Sequence, residues 1–266
     1  MNKLITLMLL LTTINTIPAS AGTIISTTSA AQTGSFSFGP GDAIEVETHS
    51  IKIADTSIFD GAENIDAIAQ YGGGWIISTS TDSTIKGTPY LDGDLILWQP
   101  ATKTATLWMP ESVFGTDEDI DALELTPDGH ILISTATDAN LGGLAFTAGD
   151  IVSYNRTTGT ASLWFKGAEH FDAVENIDAL ALLPDASMLF STATDASIGG
   201  WAFRDGDIIR YDGSRFSLWL SESIFAADED IDALAVTVPE PGSLSLLLIG
   251  LGFLLRNTRK HEYVRG

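Results

Sequence analysis

Residues 120–165 read IDALELTPDGHILISTATDANLGGLAFTAGDIVSYNRTTGTASLWF, and nearly the same text stands on either side of them. Ile-Asp-Ala recurs at Ile65-Asp66-Ala67, Ile120-Asp121-Ala122, Ile177-Asp178-Ala179 and Ile231-Asp232-Ala233. A Ser-Thr-x-Thr-Asp run follows the first three, at 78–82, 134–138 and 191–195. After the fourth the chain passes instead into Val238-Pro239-Glu240-Pro241, and a degraded copy of the run stands at the front, within Gly22 to Thr28. Gly-Asp recurs at 41–42, 93–94, 149–150 and 206–207, and Leu-Trp at 107–108, 163–164 and 218–219. A repeat divided between the two termini is how a linear chain closes a ring.

Each unit holds four short runs rich in Ile, Leu, Val, Thr, Tyr and Trp, separated by Asp-Gly, Thr-Gly or Gly-Asp. This is strand-and-turn chemistry, and no part of the body sustains a 3.6-residue period. A repeat of about 55 residues with four strands fits one propeller blade and is too long for one coil of a β-solenoid. The fold expected is therefore all-β, a four-bladed β-propeller closed by its N- and C-terminal strands. Ile-Asp-Ala-Leu is the innermost strand, Ile-Leu-Ile-Ser-Thr and Gly-Asp-Ile follow, and Leu-Trp is outermost. The fourth blade takes its inner strand from residues 230–237 and the other three from 22–55. Between the second and third strands the unit reads as a loop. A two-sheet sandwich is the competing architecture, but it has no need of four matching units. Blades one and three carry Glu-Asn-Ile-Asp (from Glu63 and Glu175), whereas blades two and four carry Asp-Glu-Asp-Ile-Asp (117–121 and 228–232). This alternation points to a duplicated two-blade ancestor with pseudo-two-fold symmetry.

Both ends read as addresses, which divides the chain into a signal peptide (1–21), the propeller (22–238) and a sorting and transmembrane tail (239–266). Lys3 precedes the apolar run Leu4 to Leu11, and Ala19-Ser20-Ala21 supplies a small-x-small cleavage site. At the other end Pro239-Glu240-Pro241 precedes the apolar stretch Leu244 to Leu255 and then Arg256, Arg259 and Lys260. These three parts, in this order at the chain end, resemble the PEP-CTERM sorting signal of Gram-negative bacteria. The resemblance covers only about the last 30 residues. It implies that the tail pauses as a helix in the inner membrane with its basic end cytoplasmic. It also implies that an exosortase cuts near Pro239-Glu240-Pro241, and that the product reaches the cell surface or extracellular matrix. Proteins with such signals typically accompany exopolysaccharide loci, so exopolysaccharide or envelope components are the implied partners. The basic residues sit where the positive-inside rule puts them, and the apolar stretch is short for a stable span of about 20 residues.

The chain has 35 Asp and Glu against 13 Lys and Arg, which argues against a nucleic-acid partner. Zero Cys removes disulfides, thiolate catalysis and Cys-based zinc sites. Between residues 22 and 241 the imbalance sharpens to 34 acidic against eight basic residues. The propeller phase gathers many carboxylates on one face: Asp66, Asp82, Asp94, Asp121, Asp138, Asp150, Asp178, Asp195, Asp207 and Asp232. Asp66, Asp121, Asp178 and Asp232 occupy equivalent places and are expected to ring the axis. Asp119 and Asp230 stand two residues earlier and share a side with their neighbours if the segment is extended. Two readings follow. Hard oxygen ligands at close quarters suit Ca²⁺, although the spacing is not an EF-hand. Alternatively, each aspartate caps a turn or accepts N–H bonds within its own blade.

No residue is assigned as catalytic: the histidines occupy unrelated repeat positions and read as surface residues, and no nucleophile elbow, phosphate loop or His-Glu-x-x-His occurs. Trp108, Trp164 and Trp219 share one repeat position and are expected to pack between blades. Trp75 and Trp201 depart from it and are the candidates for ligand contact. The expected function is an exported, surface-sorted, non-catalytic binding or matrix module, with Ca²⁺ as candidate cofactor. The alternatives are a carbohydrate-active enzyme using acidic-face carboxylates, and a self-assembling structural surface protein.

Overall fold

The computed structural model describes residues 22–115 and 118–237. Ala19 and Ala21, the tail residues Pro239, Glu240, Pro241, Arg256, Arg259 and Lys260, the expected sorting helix, and Asp117 lie outside the described residues. The strands form a four-bladed β-propeller. Blade one, from the axis outward, is Ala67–Tyr71, Gly74–Ser78, Leu95–Gln99 and Thr104–Met109. Blade two is Ala122–Leu125, Ile131–Ser134, Ile151–Asn155 and Thr160–Phe165. Blade three is Ala179–Leu182, Met188–Ser191, Ile208–Tyr211 and Phe216–Leu220. Blade four joins the C-terminal strand Ala233–Thr237 to the N-terminal strand Gly22–Ser26, then Ala43–Glu45 and Ser50–Ile53. The closing pair is antiparallel, with Gly22 opposite Thr237 and Ser26 opposite Ala233, so the fourth blade joins the two ends of the described chain in one sheet.

One expectation needs correction. The stretch between second and third strands is a two-stranded hairpin in every blade: Ala31–Thr33 with Phe36–Phe38, Ser83–Ile85 with Thr88–Tyr90, Ala139–Leu141 with Leu144–Phe146, and Ala196–Ile198 with Trp201–Phe203. Three-residue strands are too short to show a period of two. Their turns are marked instead by residues at positive φ, such as Gly142 and Gly143 or Gly199 and Gly200.

The core is divided among the four interfaces between blades. Ile24, Ile68 and Ile77 meet between blades four and one, and Leu132, Leu180 and Phe190 between blades two and three. The repeated polar residues stitch each blade to itself and to the next. Ser26, Ser78, Ser134 and Ser191 donate through Oγ to the carbonyls of Pro40, Asp92, Ala148 and Asp205. The neighbouring Thr27, Thr79, Thr135 and Thr192 each donate to a carbonyl two residues on. Each Gly-Asp aspartate is a cap: Asp94 accepts from Leu91 N and Glu111 N, Asp150 from Thr147 N and Gly167 N, Asp207 from Arg204 N and Glu222 N, and Asp42 from Gly39 N and Asp55 N. The second partner in each case begins the short helical turn leading to the next blade. The glycine before each cap faces that same crossing. A Cβ on Gly93 would lie 1.9 Å from Glu118 O, and one on Gly149 would lie 2.4 Å from Glu175 O.

A candidate cation site at the propeller axis

Asp66, Asp121, Asp178 and Asp232 each immediately precede an inner strand. Neighbouring inner strands pack on one another in cyclic order, so these four aspartates surround the axis at one end. Two residues earlier stand Asn64, Asp119, Asn176 and Asp230. Their main-chain carbonyls accept from the amides of Ser80, Ala136, Ala193 and Thr28 at 3.0–3.2 Å. The Ser-Thr run of each blade therefore anchors the segment that carries the axial carboxylates.

The four axial aspartates are at most 8% exposed. Buried carboxylate oxygens in folded proteins normally accept hydrogen bonds. Here no donor among the described residues reaches either carboxylate oxygen of Asp66 or of Asp178. One oxygen each of Asp119, Asp230 and Asp232 is also buried and unpartnered, as are the side-chain carbonyls of Asn64 and Asn176. The amide ends of those two asparagines do have partners. Asn64 Nδ2 donates to Asp232 Oδ2 at 2.7 Å, and Asn176 Nδ2 donates to Asp121 Oδ2 at 2.5 Å. Asp66, Asp119 and Asp121 each bring an oxygen within 4.8 Å of the others.

Crowding of like charge out of water sets the protonation chemistry. Burial, followed by the charges of Asp119 and Asp121, pushes Asp66 well above the ordinary carboxylate range. Burial, then Asp230 and Asp121, does the same to Asp178. Burial raises Asp232 well above its ordinary value despite the bond from Asn64. Asp119 and Asp230 are pushed up to about 7, and Asp121 to about 6, in each case chiefly by burial. Such a cluster takes up either protons or a cation. All the converging atoms are oxygens, the donor set that a hard divalent ion requires.

The remaining predicted carboxylates divide cleanly. Asp94, Asp150 and Asp207 are the caps described above, so the capping reading holds for the Gly-Asp set. Asp82, Asp138 and Asp195 are exposed at the rim. The asparagines were legible only as the Asn of Glu-Asn-Ile-Asp, on the same side of an extended segment as the axial aspartate. Glu124 was not foreseen. It occupies the inner-strand position that is Ala69, Ala181 or Ala235 in the other blades. It accepts from Leu182 N and Leu125 N, and burial pushes it up to about 7.

Clefts also lie away from the axis. On the acidic face a cavity of about 990 Å³ is lined by Glu175, Asp195, Arg204, Glu222 and Asp228 among others. Its Arg204 sits 3.0 Å from both Glu222 and Asp228, and Glu175 accepts from Thr194, so these carboxylates have partners. On the opposite face a groove of about 700 Å³ contains Tyr71, Trp108 and Arg156, with the guanidinium 3.7 Å over the Trp108 ring. The tryptophan expectations are partly corrected. Trp75 is 8% exposed in the core between blades four and one. Trp164 and Trp219 are each 42% exposed, whereas Trp108 at the same repeat position is half-buried against the core between blades one and two. Trp201 stays half-exposed on its hairpin beside Phe203. His130 and His170 are also half-buried rather than surface residues, the former bonded to Ser153 and the latter stacked on Phe165.

Comparison with known proteins bears on the tail first. Residues 237–260 match the PEP-CTERM protein-sorting motif, which marks the chain for export and sorting through the membrane. No curated protein matches the chain in sequence. Among the described residues no helix is long and apolar enough to cross a membrane. Similar solved structures include an auxiliary nutrient binding protein from Bacteroides thetaiotaomicron, at 11% identity and TM-score 0.38 over 75% of this chain and 44% of that one. A protein of unknown function from Bacteroides caccae is 9% identical with TM-score 0.36 over 83% of this chain and 100% of that one. The extracellular domain of what is described as a hybrid two-component system from B. thetaiotaomicron is 11% identical with TM-score 0.35, over 73% of this chain. This chain spans 27% of that domain's length.

Proposed function

We propose that this chain is an exported, surface-sorted, non-catalytic propeller module whose axial carboxylates bind Ca²⁺ and whose folded state depends on that ion. The observation that supports this reading is the set of buried carboxylate oxygens at the axis that no donor among the described residues reaches. Left ionised without a counter-charge, such a cluster opposes folding. A divalent cation removes the repulsion and satisfies the oxygens at once. Ca²⁺ is favoured over Mg²⁺ because it accepts many protein oxygens in irregular geometry, whereas Mg²⁺ holds its waters. Extracellular Ca²⁺ modules bind at about 10⁻⁴–10⁻³ M, so such a module would mature after export. In this reading an exosortase-type enzyme releases the tail. The propeller then remains at the surface, among envelope or exopolysaccharide components.

The test is thermal unfolding of the full chain in Ca²⁺, in Mg²⁺ and in chelator. A ligand that binds only the native state raises its melting temperature. Ca²⁺ is expected to raise it well above the chelator value, and Mg²⁺ less. Equal melting temperatures in millimolar Ca²⁺ and in chelator would sink the cation reading.

A further inference from the structure

We propose that the axis holds two divalent cations, one on each side of the pseudo-two-fold, and that the second latches the strand that closes the ring. This inference rests on the cation reading above and deepens it. The unpartnered oxygens come in two-fold pairs. Asp66 in blade one corresponds to Asp178 in blade three, and each has both carboxylate oxygens buried and without a donor among the described residues. Asp119 at the entrance to blade two corresponds to Asp230 at the entrance to blade four, and each has one such oxygen. Asp66, Asp119 and Asp121 bring oxygens within 4.8 Å of one another, the one set of three among the described residues that closes so tightly. In the other half the charges of Asp230 and Asp232 bear on Asp178, and an ion would draw that set in.

The supporting bonds obey the same symmetry and cross between the halves. Asp121, beside the first pair, is held by Asn176 of blade three, and Asp232, beside the second pair, is held by Asn64 of blade one. Each half thus carries three axial carboxylates and lends one asparagine to the other. A single cation taken by Asp66, Asp119 and Asp121 would leave both oxygens of Asp178 buried and unanswered. Two cations answer both sets and offset most of the charge of six carboxylates.

The second site has a consequence that the first lacks. Asp230 and Asp232 belong to the segment that leads directly into Ala233–Thr237, the strand that pairs with Gly22–Ser26. A cation there ties this segment to Asp178 of blade three, while Asn64 ties it to blade one. The sorting motif begins at residue 237, where the latched strand ends.

The experiment is Ca²⁺ binding to the chelator-stripped full chain by equilibrium dialysis, with hydrogen exchange on the same samples. The wild-type chain is expected to bind two Ca²⁺. Asp119→Asn and Asp230→Asn should each bind one, while Asp82→Asn, an exposed rim carboxylate, should still bind two. Ca²⁺ should protect the amides of Ala233–Thr237 in the wild-type chain and in Asp119→Asn, but not in Asp230→Asn. A wild-type stoichiometry of one overturns the second site and leaves the cation reading standing. A stoichiometry of zero overturns both. Two bound ions with equal protection of Ala233–Thr237 in the two asparagine variants overturn the latch. The wild-type stoichiometry decides the first question even where a variant fails to fold.

Discussion

Replacing Asp119 by Asn is predicted to change stability in opposite directions with and without Ca²⁺. Without a cation, Asp119 is a part-buried carboxylate facing Asp66, and its folded-state value is raised from 3.8 to about 7. Each unit is worth about 1.4 kcal/mol, so holding this group ionised above neutral pH opposes folding by about 4 kcal/mol. Solvent reaches part of Asp119, and Asp66 takes up some of the proton, so about half of that, ~2 kcal/mol, is recoverable by a neutral amide. An asparagine of nearly the same shape also offers Asp66 a donor. In chelator at pH 7.5 the variant should therefore melt about 4–8 °C above the wild-type chain. In ~10 mM Ca²⁺ a site of extracellular affinity contributes about 1.4–2.7 kcal/mol to the wild-type chain, and the variant forfeits one site. Its advantage is then cancelled or reversed. Paired melting curves by circular dichroism in the two buffers measure the effect. A variant less stable than wild type in chelator would show that Asp119 serves as a structural acceptor, and the charge argument would fail.

Three further outcomes follow from the same geometry. Asp119 and Asp230 have folded-state values raised above their unfolded ones, so the folded state holds more protons. Their contribution is complete near pH 4 and is lost as pH rises through about 7. Melting temperature in chelator should accordingly fall between pH 5 and 8, the increment given by Ca²⁺ should grow over the same range, and a flat chelator profile would contradict the charge reading. Asp150→Ala removes the acceptor of Thr147 N and Gly167 N, so it should cost about 2–3 kcal/mol equally in Ca²⁺ and in chelator; a Ca²⁺-dependent loss would move Asp150 into the cation site. Gly93→Ala places a Cβ 1.9 Å from the main-chain oxygen of Glu118, so blades one and two must shift, at about 1–3 kcal/mol; an unchanged urea midpoint would mean that the crossing is slack.

Much of the axial site could be read from the repeat. The Ile-Asp-Ala spacing identified Asp66, Asp121, Asp178 and Asp232 as equivalent, and equivalence in a closed ring places them around its axis. The offset of two residues brought in Asp119 and Asp230. Capping aspartates and the unpartnered axial aspartates carry the same letter, and the repeat alone could not separate them. Asp150 accepts two main-chain amides because a helical turn begins beside it, whereas no donor among the described residues reaches Asp178. The tryptophans misled for a related reason. Trp164 repeats as regularly as a core residue, yet it lies on an outermost strand, and a shared repeat position records shared strand geometry rather than burial.

By itself, then, the sequence determined the number of blades, the order of strands within each, the closure of the last blade by the first strand, and the sorting motif after it. All of these follow from periodicity and from the order of segments along the chain. Only the tertiary structure decided which carboxylates lack partners, that Asn64 and Asn176 reach across to the opposite half, and that Glu124 breaks the ring of alanines. Those facts depend on distances between residues as much as 168 positions apart, as with Asn64 and Asp232. A repeat states which residues are alike, whereas closing the ring in three dimensions fixes which of them meet and how much water is left between them.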